Sequence, residues 1–361
     1  MGKELKEQRK EIDRIDRQIL RLLNRRARIV LEVGKQKARE GKEIYDPKRE
    51  EETLKSLSEE NKGPFPQEAL NTVFREIISA SRSLEGLLRV CFFGPEGSFT
   101  HLATLRHFGS SVKLVSKISI DEVFKEVEQN RVEFGVVPVE NSLEGSVGRT
   151  LDLFIDSELM VFAEVLLPVS HDLLSVSRNL SDIEKIYSHP QAFAQCRKWL
   201  KENLSDRKLC EVESTALAAQ KATSDPKGAA IASGFAGRKY GLYPLREGIE
   251  DSTFNATRFL VISKKKAKKS RRDKTSLLLS LKDEAGSLFR ALEPVAREGI
   301  NLTKIESRPL KRKAWEYIFF IDLDGHVNER KIQKALREVE KHCLFLKVLG
   351  SYPKARSEGV E

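Results

Sequence analysis

Aliphatic residues recur along the N-terminal segment at steps of three and four, the spacing of one face of an α-helix. The series comprises Ile12, Ile15, Ile19, Leu22, Arg26, Ile29, Val33 and Lys37. Only Arg26 and Lys37 interrupt its apolar character. Burying a cation costs several kcal/mol unless a negative group meets it. The two cations therefore either extend to solvent from the helix edge or bind a buried anionic ligand.

Residues 3–86 carry almost only helix signals, arranged in three runs. The predicted boundaries fall at Arg39 and Gly41, at Asp46 and Pro47, at 61–64, and at Pro66 and Glu85. Glycine ends a helix readily, whereas proline is tolerated in the first turn. A long first helix beside two shorter ones cannot cover its own apolar face, so we predict an intertwined helical dimer.

The pattern changes at Arg89 to short apolar strands that alternate with helices. Residues 90–93 and 134–138 are typical of buried strands, and residues 120–129 of an intervening helix. The alternation continues to the strand 259–262. It predicts α/β sheets with parallel strands that hold ligands at their carboxyl ends.

Residues 275–351 follow a third order: strand, helix, strand, strand, helix, strand. The predicted strands are 276–281, 302–307, 317–323 and 344–350, and the predicted helices are 288–298 and 328–341. This is the order of an α+β ferredoxin-like module, which serves regulation and pairing more often than catalysis.

Composition narrows the possible classes of protein. At 361 residues the chain is expected to form two or three domains, and its net charge of +10 raises the question of nucleic-acid binding. Much of that charge lies in the run 264–272, without aromatic residues for stacking, so no nucleic-acid partner is predicted. The four cysteines show no close pairing, which argues against a disulfide framework or a zinc site. We find no membrane-length apolar stretch and no signal peptide, and expect a cytoplasmic protein.

Several polar residues of the helical segment depart from its amphipathic pattern. They are Arg9, Arg26, Lys37, Asp46, Arg49, Glu50, Ser81 and Glu85. Four cations around one bundle suggest a small substrate with two carboxylates. All eight residues match positions used by the all-helical chorismate mutases, and residues 3–86 resemble that family throughout. The resemblance implies that all eight bind the substrate and that Arg9 reaches the site of the partner subunit.

The reaction implied by this resemblance is the pericyclic rearrangement of chorismate to prephenate, which needs no nucleophile and no cofactor. The protein selects a compact conformer and stabilises charge at the breaking ether bond. By resemblance, Arg26 and Arg49 hold the two carboxylates, and Lys37 donates to the ether oxygen. Glu50 would hold both that lysine and the substrate hydroxyl. Glu85 faces the same ether oxygen and must be protonated to help.

Five polar loops lie in the middle segment. They are residues 94–101, 138–146, 187–191, 213–215 and 255–259. Any one could be turn chemistry, but five in this order resemble prephenate dehydratase across residues 89–263. The resemblance implies a two-lobed architecture similar to periplasmic binding proteins, with the substrate between the lobes. The implied substrate-binding residues are Ser98, Asn141, Ser142, Ser188, Ser214, Thr215, Thr257, Arg258 and Phe259.

Prephenate loses its ring hydroxyl and carbon dioxide together, so a proton donor must reach the leaving hydroxyl. By resemblance this catalytic donor is Thr257, a weak acid whose task is eased because the ring becomes aromatic. Arg258 either holds a substrate carboxylate or braces the loop. His189 is an alternative acid, although its position before Pro190 also fits a structural turn.

Residues 285–288 and 306–309 resemble the phenylalanine-sensing pattern of ACT domains attached to prephenate dehydratases. A glycine at a strand-to-helix turn lets backbone N–H groups meet the carboxylate of an amino acid. Phe289 stands where a small apolar residue is usual. The implied phenylalanine-binding residues are Gly286, Ser287, Leu288, Asn301, Leu302, Glu306, Ser307, Arg308 and Pro309.

The order of the three segments resembles the bifunctional chorismate mutase/prephenate dehydratases. Its expected domains are 1–88, 89–263 and 274–361, with a basic linker at 264–273. The resemblance implies chorismate and prephenate as substrates, L-phenylalanine as allosteric inhibitor, a homodimer or larger homo-oligomer, and no metal or cofactor. The alternative is a non-enzymatic sensor or small-anion binding protein, which would share the last two segments but would not need the cation set.

Overall fold

The computed structural model describes residues 2–252, 254–309 and 317–355. The chain forms two compact units. Unit 1 comprises residues 1–89 together with 107–113, and unit 2 comprises residues 90–106 and 114–361. The short stretch 107–113 was expected within the dehydratase segment, yet it packs with the N-terminal helices.

Unit 1 is built from three helices, which confirms the all-helical prediction. They are α1 (Gly2–Arg39), α2 (Pro47–Glu60) and α3 (Gln67–Glu85). The Asp46 carboxylate accepts a hydrogen bond of 3.3 Å from the backbone N–H of Arg49, and Pro47 occupies the first turn. Capping by aspartate and a proline at the first position together fix where α2 begins.

The aliphatic face of α1 is only partly covered within one chain. The helix packs against α3, but Ile12 remains 57% exposed, Leu22 62% and Ile29 53%. Large apolar side chains arranged along one helix face at this exposure are unusual in a monomer.

Unit 2 begins with a lobe built on a mixed sheet in the order β2-β1-β3-β11-β5, with β4 paired to β3. Its strands are β1 (Arg89–Phe93), β2 (Lys113–Lys117), β3 (Phe134–Asn141), β4 (Gly145–Ser146), β5 (Met160–Pro168) and β11 (Ala256–Ser263). Its helices are α4 (Phe99–Phe108), α5 (Ile120–Glu128) and α6 (Gly148–Asp156). β1 runs parallel to β3, whereas β11 runs antiparallel to both β3 and β5.

The second lobe is a sheet in the order β10-β6-β9-β7-β8. Its strands are β6 (Asp172–Ser175), β7 (Lys185–Ser188), β8 (Lys208–Glu211), β9 (Gly228–Ala232) and β10 (Tyr243–Arg246). Its helices are α7 (Pro190–Gln195), α8 (Arg197–Asn203), α9 (Thr215–Ala222) and α10 (Gly234–Tyr240). The chain passes between the lobes twice, at 169–171 and at 247–255, so residues on these two connections lie at the junction of the lobes.

The C-terminal segment forms an antiparallel sheet in the order β13-β14-β12-β15, flanked by two helices, as the predicted order of elements requires. Its elements are β12 (Asp273–Ser280), α11 (Ser287–Arg297), β13 (Leu302–Pro309), β14 (Tyr317–Asp324), α12 (Arg330–Lys341) and β15 (Phe345–Pro353). Residues 264–272 before it contain no helix or strand.

This third sheet shares a hydrophobic core with the first lobe. Leu278, Phe320 and Tyr352 are buried together with Val139 and Leu260. Successive side chains of a strand point to opposite faces, so the neighbouring residues 277 and 279 pack instead beneath α11 and α12. Removing residues after 269 would therefore expose apolar surface of the first lobe.

Candidate active sites

Arg26 and Ser81 meet between α1 and α3. The Arg26 guanidinium donates a short hydrogen bond to the Ser81 hydroxyl and one of 3.5 Å to the carbonyl of Ile77. Partial burial lowers the pKa of Arg26, while the nearby Glu50 carboxylate acts in the opposite direction. The guanidinium is therefore half-buried, and it does not simply extend to solvent.

Lys37 is paired with Glu85 across the same two helices. Its Nζ lies 2.8 Å from Glu85 Oε2 and donates to the carbonyl of Ile44 at 3.2 Å. Gly34 makes this approach possible, because a Cβ there would lie 3.0 Å from Cγ of Glu85. The Glu85 side chain is 8% exposed. Lys37 and Glu85, which were predicted to face one substrate atom, are thus in direct contact with each other.

Glu50 has a partner that the sequence interpretation missed. The expected contact between Glu50 and Lys37 is not formed; the Glu50 carboxylate lies 2.7 Å from the guanidinium of Arg82 instead. Burial raises the pKa of Glu50, and Arg82 opposes this most strongly, with Lys37 contributing less. The sequence did contain a signal for Arg82. It lies four residues after Ile78 and three before Glu85, so the three side chains share one face of α3.

The remaining predicted mutase residues lie at the surface of the described chain. Arg9 and Arg49 are exposed, and the Asp46 side chain caps α2. Within one chain, the structure brings together Arg26, Lys37, Glu50, Ser81 and Glu85.

In unit 2, the strand register sets Thr257 directly opposite Asn141. The Asn141 amide donates to the Thr257 hydroxyl oxygen at 2.9 Å. Its own oxygen accepts from the backbone N–H groups of Leu143 and Glu144 at 3.0 and 3.2 Å, which fixes the orientation of the amide. Because its oxygen already accepts this bond, the hydroxyl of half-buried Thr257 can direct its proton elsewhere.

The amide chain continues to the junction of the lobes. Asn141 also donates to Asn255 at 2.8 Å, and Asn255 donates to the Gln195 side-chain oxygen at 3.1 Å. The same oxygen lies 2.8 Å from Nε2 of His171, while the Gln195 nitrogen donates to Glu144 at 3.1 Å. An oxygen that already accepts from Asn255 assigns the ring proton of His171 to Nε2. Burial lowers the pKa of His171, so the ring is neutral near pH 7.

Gln195, Asn255 and His171 were absent from the predicted site. Gln195 follows the predicted loop 187–191 by one turn of α7, which is the only signal the sequence offered. Asn255 opens the predicted loop 255–259, although it was not placed in the site, whereas the position of His171 depends on how the chain passes between lobes, a tertiary feature with no local pattern.

Most of the predicted serines perform structural tasks. Ser98 accepts from the backbone N–H of His101 at 3.2 Å, and Ser214 caps α9 by accepting from Leu217. Ser188 is fully buried and donates to the carbonyl of Ile231 at 2.8 Å, so its hydroxyl is already committed. Ser142 links to the loop before Thr257, accepting from the backbone N–H of Ala256 at 2.9 Å. Thr215 is the half-buried first residue of α9.

Arg258 and Phe259 are buried more deeply than the half-buried Thr257. Phe259 is 1% exposed, within the core. The Arg258 guanidinium donates to Glu164 at 2.7 Å, to Asp322 at 2.5 Å and to the Tyr352 hydroxyl at 2.9 Å. Of the two alternatives left open for Arg258, the structure supports the brace, which here joins the first lobe to the third sheet.

His189 also has a structural partner. Its Nδ1 accepts from the backbone N–H of Gln191 at 3.2 Å at the start of α7. This contact gives His189 a structural role at the start of α7, as the structural-turn alternative requires, and it engages Nδ1 alone.

The predicted phenylalanine residues divide between two faces of the third sheet. Gly286 has a φ of +79° immediately before α11, a conformation that favours glycine. Ser287 accepts from Arg290 at 3.2 Å, and Asn301 donates to Asp324 at 3.0 Å. Leu288 and Leu302 pack on the core beneath the helices.

The β13 residues of this set alternate in exposure. Ser307 and Pro309 are exposed, whereas Glu306 and Arg308 are partly buried on the opposite face. The Arg308 guanidinium lies 3.2 Å from the carboxylate of Asp152 in α6. Arg308 therefore contacts the first lobe, which separates it from the Gly286 turn with which it was grouped.

These features define a multidomain enzyme of small anionic substrates, with a helical unit, a two-lobed α/β unit and an attached α+β module. Comparison with known protein families agrees with this architecture. Residues 8–86 match the family chorismate mutase type II, residues 90–267 match prephenate dehydratase, and residues 275–341 match the ACT domain.

Related proteins span nearly the whole chain. The bifunctional chorismate mutase/prephenate dehydratase of Aquifex aeolicus (strain VF5) is 50% identical over 98% of both chains, and that of Stutzerimonas stutzeri is 44% identical over 98% of both. Among solved structures, prephenate dehydratase from Arthrobacter aurescens in complex with L-Phe is 32% identical, with a TM-score of 0.69, covering 74% of this chain and 90% of that one. The chain belongs to the family of bifunctional chorismate mutase/prephenate dehydratases.

The described residues contain neither a membrane-spanning helix nor a cluster of metal-binding side chains. No described helix has both the length and the apolar character needed to cross a membrane. Across 2–252, 254–309 and 317–355, no group of three or more histidine, cysteine, aspartate or glutamate side chains is arranged to hold a metal ion.

Proposed function

We propose that this chain rearranges chorismate to prephenate in unit 1 and converts prephenate to phenylpyruvate in unit 2, under inhibition by L-phenylalanine. The active segments are 1–88 and 89–263, the sensing segment is 274–361, and neither reaction uses a cofactor. One observation carries the proposal: a single chain contains a charged helical site and a separate hydroxyl held by a chain of neutral amides. We also propose a cytoplasmic location.

In the mutase step, the cations hold the substrate and stabilise developing charge. Arg26 and Arg49 bind the two carboxylates, and Lys37 donates to the ether oxygen as its bond to carbon breaks. Glu50 accepts from the substrate hydroxyl. Since Lys37 contacts Glu85 at 2.8 Å before the substrate enters, protonation of Glu85 would release the lysine and provide a second donor to the ether oxygen.

The mutase works as a dimer in this proposal. The exposed aliphatic face of α1 supports it, since an apolar face of this extent needs a partner in water. Arg9, exposed in the isolated chain, completes the site of the second subunit. Mutase activity would therefore depend on protein concentration, whereas the dehydratase residues Asn141, Gln195 and Thr257 all lie within one chain.

In the dehydratase step, Thr257 gives its proton to the leaving ring hydroxyl. The carbon–carbon bond to the ring carboxylate breaks, its electron pair enters the ring, and the hydroxyl leaves as water. The products are carbon dioxide, water and phenylpyruvate, and a proton taken up from solvent restores the Thr257 hydroxyl. The hydrogen bond from Asn141 to the Thr257 oxygen stabilises negative charge that develops on that oxygen. Gln195 and Asn255 keep the Asn141 amide in place.

Phenylalanine binds at the Gly286 turn, where backbone N–H groups can meet its carboxylate. Inhibition requires that the ligand favour a less active state of the dehydratase. The shared core of the third sheet and the first lobe, together with the Arg258 brace, provides a physical connection between the two sites.

The test is a coupled assay on the purified protein with chorismate as the only substrate. The proposal expects phenylpyruvate, transient prephenate, and inhibition by phenylalanine. A protein that binds chorismate or phenylalanine without turning over either chorismate or prephenate would be the non-enzymatic sensor, and the proposal would be wrong.

A further inference from the structure

Arg82 is a buried cation with an unusual set of partners. Its side chain is 4% exposed, and it contacts the Glu50 carboxylate at 2.7 Å. It also donates to the backbone carbonyl of Phe108 and lies over the ring of Tyr45, with 4.8 Å from Cζ to the ring centroid. A carboxylate, a carbonyl and an aromatic face together offset the cost of burying the charge.

Two of these contacts depend on residues 107–113, which comprise the last two residues of helix α4 and the chain after it and which fold with unit 1. The Tyr45 hydroxyl lies 3.0 Å from Nε2 of His107, and the backbone N–H of Ser111 donates to the Ser79 hydroxyl at 3.1 Å. Gly109 contacts Ser79 so closely that a Cβ at this position would overlap its side chain. The segment is therefore packed tightly on α3.

The geometry indicates that the position of Arg82 depends on the segment 107–113. Arg82 cannot donate to Phe108 and Glu50 at the same time unless the end of α4 and the turn after it stay on α3. If the turn moved away, Arg82 would lose a buried acceptor, and a long flexible side chain with one partner fewer holds that partner less firmly. Glu50 would then lose the fixed position that substrate recognition requires.

We propose that Arg82 is a positioning residue for the mutase, which fixes the Glu50 carboxylate, and that the segment 107–113 fixes Arg82. The mutase site is thereby supported by a piece of chain that belongs, in sequence, to the dehydratase. This proposal rests on the function proposed above, in which Glu50 contacts chorismate.

The charged groups around Glu50 determine how its pKa would change if Arg82 were removed. The charged and titratable groups that influence it are Arg82 on α3, Arg26 and Lys37 on α1, and Asp46 and Tyr45 before α2. Arg82 is the largest of the influences that favour the ionised form of Glu50. Without it, Glu50 takes up a proton at higher pH, and the neutral carboxyl accepts from the substrate hydroxyl more weakly than the carboxylate.

The first experiment compares Arg82→Ala and Arg82→Lys with wild type in the full-length protein. We expect Arg82→Ala to lower mutase kcat/KM by about ten-fold or more, with the acid limb of its pH profile displaced to higher pH. Arg82→Lys keeps the charge and should restore the acid limb towards wild type while kcat/KM recovers only in part. Turnover of supplied prephenate should change by less than about two-fold.

The second experiment moves the segment without touching Arg82 or Glu50. Gly109→Ala introduces the overlap with Ser79, and Gly41→Ala is its matched control, because Gly41 also has a positive φ but open space around it. We expect Gly109→Ala to reproduce a smaller form of the Arg82→Ala defect, including the shifted acid limb. Gly41→Ala should leave the mutase pH profile unchanged.

Glu50→Gln separates this proposal from the function on which it rests. If Glu50→Gln loses mutase activity but both Arg82 variants keep wild-type kcat/KM and pH profile, Arg82 does not position Glu50. If Gly109→Ala matches Gly41→Ala, the segment does not support the site. Full mutase activity in Glu50→Gln would contradict the role of Glu50 itself. Should Arg82→Ala fail to fold, Arg82→Lys and Gly109→Ala still decide the question.

Discussion

The two candidate sites use opposite physical strategies. The site in unit 1 is built from ion pairs, with Lys37 on Glu85 and Arg82 on Glu50. The site in unit 2 is built from neutral groups, in which the amides of Asn141, Asn255 and Gln195 lead to the hydroxyl of Thr257. The reactions explain the difference. A rearrangement without proton transfer is assisted by holding the reactive conformer and by placing charge at the breaking bond, whereas the expulsion of a hydroxyl needs one correctly aimed proton.

The sites also differ in how far one chain completes them. The helical site leaves an apolar face of α1 and Arg9 exposed, the surface that the proposed dimer would cover. The Asn141 amide is fixed by backbone N–H groups of the same chain. Charge at the proposed subunit boundary and neutral bonds inside one chain should respond differently to mutation, pH and dilution.

The largest expected effect comes from removing the lysine of the charged site. Lys37→Ala should lower mutase kcat by about a hundred-fold or more, because the ether oxygen loses a donor that acts in the transition state. Turnover of prephenate in the same preparation should stay within about two-fold. Lys35→Ala, exposed on the same helix, is the matched control. Equal loss in both variants would indicate a general effect of charge on α1.

The second-largest effect is expected at the neutral site in unit 2. Thr257→Val should lower dehydratase kcat by about a hundred-fold or more while prephenate accumulates from chorismate, since the methyl group cannot donate a proton. Asn141→Ala should cause a smaller loss, because the hydroxyl remains but its orientation is free. Thr223→Val, at an exposed position, controls for the substitution itself. A Thr257→Val enzyme with normal turnover would remove this residue from the mechanism.

A third prediction separates bracing from substrate binding at Arg258. Arg258→Gln leaves the buried Asp322 carboxylate without its cation, whereas Glu164 keeps Lys274 at 2.8 Å, so unit 2 should lose about 3 kcal/mol of stability. The fraction that remains folded should keep the wild-type KM for prephenate. Arg149→Gln removes an exposed guanidinium and should change the melting temperature little. A raised KM with unchanged melting temperature would return Arg258 to the substrate site.

The smallest effect concerns pH. Burial lowers the pKa of His107 from 6.5 to about 3, with Arg82 and Arg75 adding to the shift. Its contribution to stability is complete above pH 6.5 and is lost as pH falls towards 3, because the unfolded chain binds the proton first. Unit 1 should lose about 2 kcal/mol between pH 6.5 and pH 5.

Two histidine variants test this prediction by thermal unfolding of unit 1 across that pH range. His107→Gln should remove most of the slope, since glutamine cannot take up a proton. His342→Gln, at an exposed position, should leave the slope as it is. A wild-type melting temperature that is independent of pH in this range would show that His107 does not control the acid stability of unit 1.

The helical site shows how far a sequence pattern can lead. The three-and-four spacing identified α1, and its two interrupting cations were the residues that meet Ser81 and Glu85. The pairing of Glu50 was assigned incorrectly, because a helical period fixes which face a residue occupies but not which neighbour reaches it. Arg82 lies on the correct face of α3, yet only the docking of 107–113 explains why it is buried.

The sequence by itself determined the three patterns of secondary structure along the chain and the family, and it predicted two groups of candidate site residues. These depend on local periodicity and on motifs a few residues long. Only the tertiary structure decided that Arg258 braces two sheets, that Arg308 contacts Asp152, that Gln195 orients the amides beside Thr257, and that 107–113 folds with the helices. Each of these contacts joins residues far apart in sequence, and the choice among many possible partners of a long polar side chain is made by packing.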